Sequence, residues 1–326
     1  MPSTLRRPYR SPGSPLPYAA VSFTRGIASA VAGVGWNLAR ALHTLGSRVV
    51  FLGLAGADAA GALLRHEVDR SGIAAVLADT AATPQSVILY DPAGRRRAET
   101  DMKGLQEAEF PADAFDAALA GADLALLSNV NWTRPLLARA AAAGIPVATD
   151  LHDVRSLDNP YDADYLDRAT ILFLSGERLP EAPEAFARRV LDRSRAAVVG
   201  IGLGSRGALV APRGAPPTLV AAPTLRPVVS SIGAGDALLA AFLHFRDRYD
   251  DPVAAMRRAV VFAAWKVGEA SASAGFLSEA EVEAIHDATE LGGLRLVGVA
   301  GGGDEVVYHD AEAAFGEPGG AVRCLC

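Results

Sequence analysis

The chain has 326 residues, 50% of them hydrophobic and 21% charged, with a net charge of −6 at pH 7. That length supports a sizeable core, and the acidic balance argues against a nucleic-acid partner. No apolar run reaches the roughly 20 residues of a membrane helix. The two cysteines, Cys324 and Cys326, sit together, so no disulfide framework crosses the fold, as expected of a reducing cytoplasm.

Residues 1–17 carry Arg6, Arg7 and Arg10 among five prolines with no apolar core, which reads as a disordered arm and not a signal peptide. A weak strand is expected at 18–23. The turn Gly33-Val34-Gly35-Trp36-Asn37 then enters a helix with Leu38, Ala41, Leu42 and Leu45 on one face and Gly46 as its stop. Residues 48–54 read as a buried strand, and Asp58 caps a helix running to about Arg70. Two short runs within 86–100 flank Asp91-Pro92-Ala93-Gly94 as a β-hairpin.

From there strands and helices alternate. Strands are expected at 124–127, 146–149, 171–174 and 196–200, with helices at 134–143 and 183–193. This rhythm predicts an α/β fold with a parallel sheet covered on both faces. Two short strands near 208–211 and 218–222 precede helices at 235–249, 253–269 and 278–290. The glycine-rich residues 292–326 carry little periodicity and are left unassigned, with the cysteine pair as part of a tail.

The stretch Ser230-Ser231-Ile232-Gly233-Ala234-Gly235-Asp236 runs straight into strong helix formers. Its glycines allow a tight turn, and the open N–H groups at the helix start make an anion site. Asp236 is then either a helix cap or a catalytic base. Gly202-Leu203-Gly204-Ser205-Arg206-Gly207 fits the spacing of a dinucleotide loop, but strand-like residues follow it and 220–229 contain no acid. It therefore reads as a hairpin turn. No phosphate-binding loop of the Gly-Lys-Ser/Thr kind occurs. Asp150, His152 and Asp153 match no strong metal-ligand spacing. Gly33-Val34-Gly35-Trp36-Asn37 is either a plain turn or a bare backbone that a polyhydroxylated ligand approaches, with the Asn37 amide donating and accepting.

Taken together, the two glycine turns resemble the PfkB, or ribokinase-like, family of carbohydrate and nucleoside kinases. The glycine pair before Asn37, the run through Leu45-Gly46, the segment from Phe51 to Asp58, the Gly202–Gly207 turn and the Gly-Ala-Gly-Asp stretch are all similar to family signatures. The resemblance implies a ribokinase-like, doubly wound, mainly parallel sheet with helices on both faces. A β lid would be formed by 18–23 and 86–100, in a kinase domain spanning 18–291. It implies Asp236 as the base, with Gly233, Ala234 and Gly235 as the anion hole. Gly33, Gly35 and Asn37 would hold the substrate, and Gly202, Gly204 and Gly207 would line the nucleotide. ATP and Mg²⁺ would be cofactors, with Glu177 near the metal through water. A sugar or nucleoside would be the partner, and a homodimer through the β lid is a further arrangement the family allows.

Three departures stand out. Ser230 replaces the family's aspartate, which bears on K⁺ activation. Glu177 is the one acid in Ser175-Gly176-Glu177-Arg178, where the family has Asn-x-x-Glu. The family's opening strand with a sugar-binding aspartate is not visible in 1–17; either it is missing or the start is set too late. The reading is an ATP-dependent kinase acting on a primary hydroxyl of a sugar. Its alternatives are a nucleoside kinase similar to pseudouridine kinases, and a sugar-binding homologue without catalysis.

Overall fold

Apolar side chains at helical spacing and the stop at Gly46 produce α1 (Val34–Thr44), whose inner face is fully buried. The run Val50–Gly56 (β1) is buried from Phe51 onward, a pattern that only a strand covered on both faces sustains. The computed structural model describes residues 28–90, 96–290 and 322–325. The chain divides into two units, Met1–Ala30 and Val31–Cys326, and every element described here lies in the second.

Asp58 caps α2 (Ala59–Ser71), accepting from the Gly61 N–H at 2.8 Å and the Thr83 N–H at 2.9 Å. These two bonds, Thr83's first, hold its carboxyl below the usual carboxylate range. β2 (Ala74–Thr80) follows, then the antiparallel pair β3 (Gln85–Tyr90) and β4 (Arg96–Asp101). That pair is the expected hairpin, while its turn and the strand expected at 18–23 lie outside the described residues.

The alternating part contains α3 (Ala112–Leu119), β5 (Leu124–Leu127), α4 (Arg134–Ala142), β6 (Val147–Asp153), α5 (Ala163–Arg168), β7 (Ile171–Ser175), α6 (Pro183–Arg193) and β8 (Val198–Gly202). β9 (Ala208–Pro212) and β10 (Thr218–Val220) turn back antiparallel, and α7 (Ala234–Tyr249), α8 (Pro252–Lys266) and α9 (Glu279–Glu290) follow. A last strand, β11 (Val322–Leu325), corrects the view of 292–326 as wholly unassigned.

Among the described residues one sheet runs β10-β9-β8-β7-β6-β5-β11-β1-β2, parallel from β8 onward. Each face has its own core. α1, α7 and α8 pack on one side around Leu42, Phe173 and Phe242, and α3 to α6 on the other around Phe115, Leu172 and Phe186. This double cover explains the continuous apolar strands and confirms the expected layering. No helix among the described residues is long and apolar enough to cross a membrane.

Candidate active site

The first turn of α7 carries the centre of the site. Gly233 holds φ +76°, and a Cβ there would stand 2.6 Å from the Ala272 carbonyl oxygen, so glycine is required twice over. The Ala234 N–H donates to the Ser231 carbonyl at 3.3 Å. The N–H groups of Gly235 and Asp236 follow in the first turn, where no helical carbonyl precedes them. Together with the positive end of a 16-residue helix, they give the turn the donors an anion would need.

Asp236 is buried, and its carboxylate accepts from Asn37 Nδ2 at 2.7 Å, across 199 positions of sequence. The side chain thus answers α1 instead of capping its own helix. Burial pushes the carboxyl up, and the charge of Asp150 adds to this. The Asn37 bond, His152 and Lys266 oppose it, leaving the group raised to about 6. A buried carboxylate poised near neutrality suits a general base.

Asn37 is set by the turn before it. Gly33 stands at φ +132°, and its carbonyl accepts the Asn37 N–H at 2.9 Å. The amide Oδ1 is buried and has no partner among the described residues, which leaves an acceptor for a ligand hydroxyl. Asn37→Ala is expected to lower kcat/KM by about 10–100-fold, the effect of leaving buried polar partners unpaired. Because the Asn37 bond lowers the Asp236 carboxyl, the acidic limb of the rate profile should also move to higher pH. A full pH–rate series with and without the mutation checks both shifts; an unmoved profile returns Asn37 to a plain turn.

The sequence reading gave Asp150 and His152 little weight, yet they face this centre. β6 ends beside α7, and the Asp150 carboxylate lies 3.8 Å from where a Gly235 Cβ would be. His152 takes the left-handed φ of +57°; its N–H donates to Asp150 Oδ1 at 2.8 Å and its ring Nδ1 stands 3.5 Å from Oδ2. The Asp150 charge helps raise the Asp236 carboxyl, and a divalent cation beside the pair would offset that repulsion. Asp150 therefore fits a metal. Glu177 is exposed, with its N–H on Ser175 Oγ, and no described contact ties it to Asp236. A second acidic cluster, Glu283, His286 and Asp287, lies on α9 among the described residues, but Glu283 already holds Arg258 and Tyr249.

The Gly202–Gly207 turn is a hairpin, as expected. Gly202 ends β8, a short 3-10 turn spans Gly204–Arg206, and the Leu203 N–H closes onto the Gly207 carbonyl at 2.8 Å. Gly207 lies against the backbone of Val220 and Ala222. Those residues line a cleft of about 340 Å³ together with Pro223, Arg257, Val261 and His286.

Residues 22–279 match the pfkB family of carbohydrate kinases. The chain belongs to that family. It is 34% identical over 240 residues to an acarbose 7(IV)-phosphotransferase from Actinoplanes sp., covering 71% of this chain and 78% of the relative. Among solved structures it is similar to a microbiome-derived acarbose kinase, with 28% identity, a TM-score of 0.77, and coverage of 83% of this chain and 92% of the other. A ribokinase from Giardia lamblia shares the fold at 18% identity and a TM-score of 0.67, covering 78% of this chain and 89% of its own.

Proposed function

We propose that this chain transfers the γ-phosphoryl group of ATP to a primary hydroxyl of a sugar. The observation that carries this reading is the Asn37–Asp236 hydrogen bond of 2.7 Å at the open N-terminus of α7. It brings the expected substrate amide and the expected base to one point. Asp236 takes the hydroxyl proton as the sugar oxygen bonds to the γ-phosphorus and the bond to the bridging oxygen breaks, releasing ADP. The N–H groups of Gly235 and Asp236 face the charge on the transferring group, where preorganised donors act most strongly. Gly33 and Gly35 keep the backbone bare beside Asn37.

Asp150 would hold Mg²⁺, with Glu177 at longer range through water, and the metal when bound offsets phosphate charge. The Gly202, Gly204 and Gly207 turn lies toward the nucleotide, and the adjoining cleft offers Pro223 and Val261 as apolar walls for the base. The hairpin β3–β4 exposes Val87 and Leu89 on one face; this supports a lid that closes over sugar or pairs with a second copy. The composition supports a cytoplasmic setting.

A panel of sugars and nucleosides, with acarbose included because two relatives act on it, is read as ADP release with product mass. Transfer to a sugar hydroxyl is the expected result. Preference for a nucleoside moves the reading to that branch of the family. Sugar binding with no transfer, Mg²⁺ and K⁺ supplied, makes the chain a binder.

A further inference from the structure

At the carboxyl edge of the sheet the ends of β8, β7 and β6 stand side by side, and an arginine there has no part in the steps above. Register aligns Gly202 with Ser175, and Ser175 with Asp153. The residues after Ser175 therefore lie between the Gly202–Gly207 turn and the strand that carries Asp150. Backbone contacts tie them to the turn. The Gly176 N–H donates to the Gly202 carbonyl at 2.8 Å. A Cβ on Gly176 would stand 2.9 Å from that oxygen and 2.6 Å from the Leu203 side chain, so glycine is needed for the approach. Two residues on, Arg178 reaches the other neighbour, with its Nε 3.3 Å from Asp153 Oδ2.

That ion pair holds Arg178 only loosely. Its two side chains are 54% and 40% exposed, and an exposed pair of this kind contributes little in water. The guanidinium is free to leave Asp153 for a stronger partner. The strand ends around it are rich in carboxylates: Asp150 and Asp153 close β6, Glu177 follows β7, and Asp236 lies in the first turn of α7. A polyphosphate that runs from the Gly202–Gly207 turn to the α7 turn crosses this row and needs fixed positive charge within it. An arginine suits that task, because its planar fork meets two phosphate oxygens at once.

We propose that Arg178 is a phosphate-binding residue: its guanidinium turns from Asp153 to the polyphosphate of the nucleotide, midway between the Gly202–Gly207 turn and the first turn of α7. The clamp at Gly176 fixes the backbone from which it reaches, and Asp153 parks the side chain while the site is empty. The assignment rests on the kinase reading for its effect on turnover, but not for its effect on anion binding.

Titration calorimetry with ATP, AMP and inorganic tripolyphosphate, each with Mg²⁺, tests the second point directly on wild type, Arg178→Met and Arg178→Lys. Arg178→Met is expected to bind ATP and tripolyphosphate about 10–100-fold more weakly, the loss that charge-assisted hydrogen bonds carry, and to bind AMP nearly as well as wild type. Arg178→Lys keeps the charge without the fork and should fall between the two. In turnover, Arg178→Met should raise the KM for ATP by the same factor and leave the KM for sugar unchanged. Its melting temperature should stay that of wild type, since the side chain is half-exposed. A merely structural ion pair would move the melt, or all three ligands together. Unchanged ATP affinity in Arg178→Met, or equal weakening of ATP and AMP, overturns the proposal. Should the wild type bind ATP and transfer no phosphoryl group, the kinase reading falls and the titrations still judge Arg178. A wild type that binds neither ATP nor tripolyphosphate overturns both.

Discussion

Asp236→Asn is expected to lower kcat by about 10²–10⁴-fold while the protein melts no earlier than wild type at pH 7.5. Asparagine keeps the acceptor for Asn37 Nδ2 and the shape of the α7 turn, but it takes no proton. The stability half follows from the sign of the carboxyl's shift. Its folded value, about 6, lies above the ordinary 3.8, so the native state holds this proton more tightly than the unfolded chain. The stabilisation is complete below about 4 and is lost as pH rises through about 6. Above that range the buried carboxylate weighs on the native state, and asparagine removes the weight. Wild-type kcat/KM should rise with pH through the same region, as the base is freed. Thermal melts and single-turnover phosphorylation on both proteins check the prediction; a mutant that loses stability and activity together returns Asp236 to a structural role.

Gly233→Ala should cost nearly as much by a different route. Alanine at φ +76° carries the left-handed penalty of about 1–2 kcal/mol. Its Cβ also stands 2.6 Å from the Ala272 carbonyl, so the turn or the 272 loop must move. Displacing the anion hole is expected to lower kcat by about 10²-fold. A control separates the two causes. Gly144, after α4, holds φ +71° with nothing within 4 Å of an added Cβ. Gly144→Ala should shift the melting temperature by about 2–4 °C per kcal/mol lost and leave turnover untouched. Equal kcat losses at both positions would show that Gly233 matters only through stability.

Much of this architecture was legible in the chain itself. The strands at 124–127 and 171–174 and the helix at 183–193 announced themselves because burial on both faces demands unbroken apolar runs, and helix faces repeat at 3.6 residues. The α7 turn was legible because glycine pairs at a helix start have few other uses. What sequence left open was which role Asp236 plays; the structure adds its hydrogen bond from Asn37, a proximity no local pattern encodes. β2 escaped notice because Ala74–Thr80 mixes small and half-exposed residues with no clean alternation, and α5, at six residues, is too short to show a period. Asp150 and Lys266 follow no motif. They come near the α7 turn only through strand and helix ends that converge in the folded sheet.

The position of β11 has a consequence for the order in which the molecule is assembled. Val322–Leu325 lies between β1 and β5, pairing Leu325 with Leu52 on one side and with Leu127 on the other. The sheet thus consists of two blocks, β1–β2 and β5–β10, stitched by a strand that leaves the ribosome after both. Until those residues emerge, the inner edges of two nascent blocks stand open, and pairings between such distant partners are slow to form. During synthesis, the open β1 and β5 edges are where misassembly would begin.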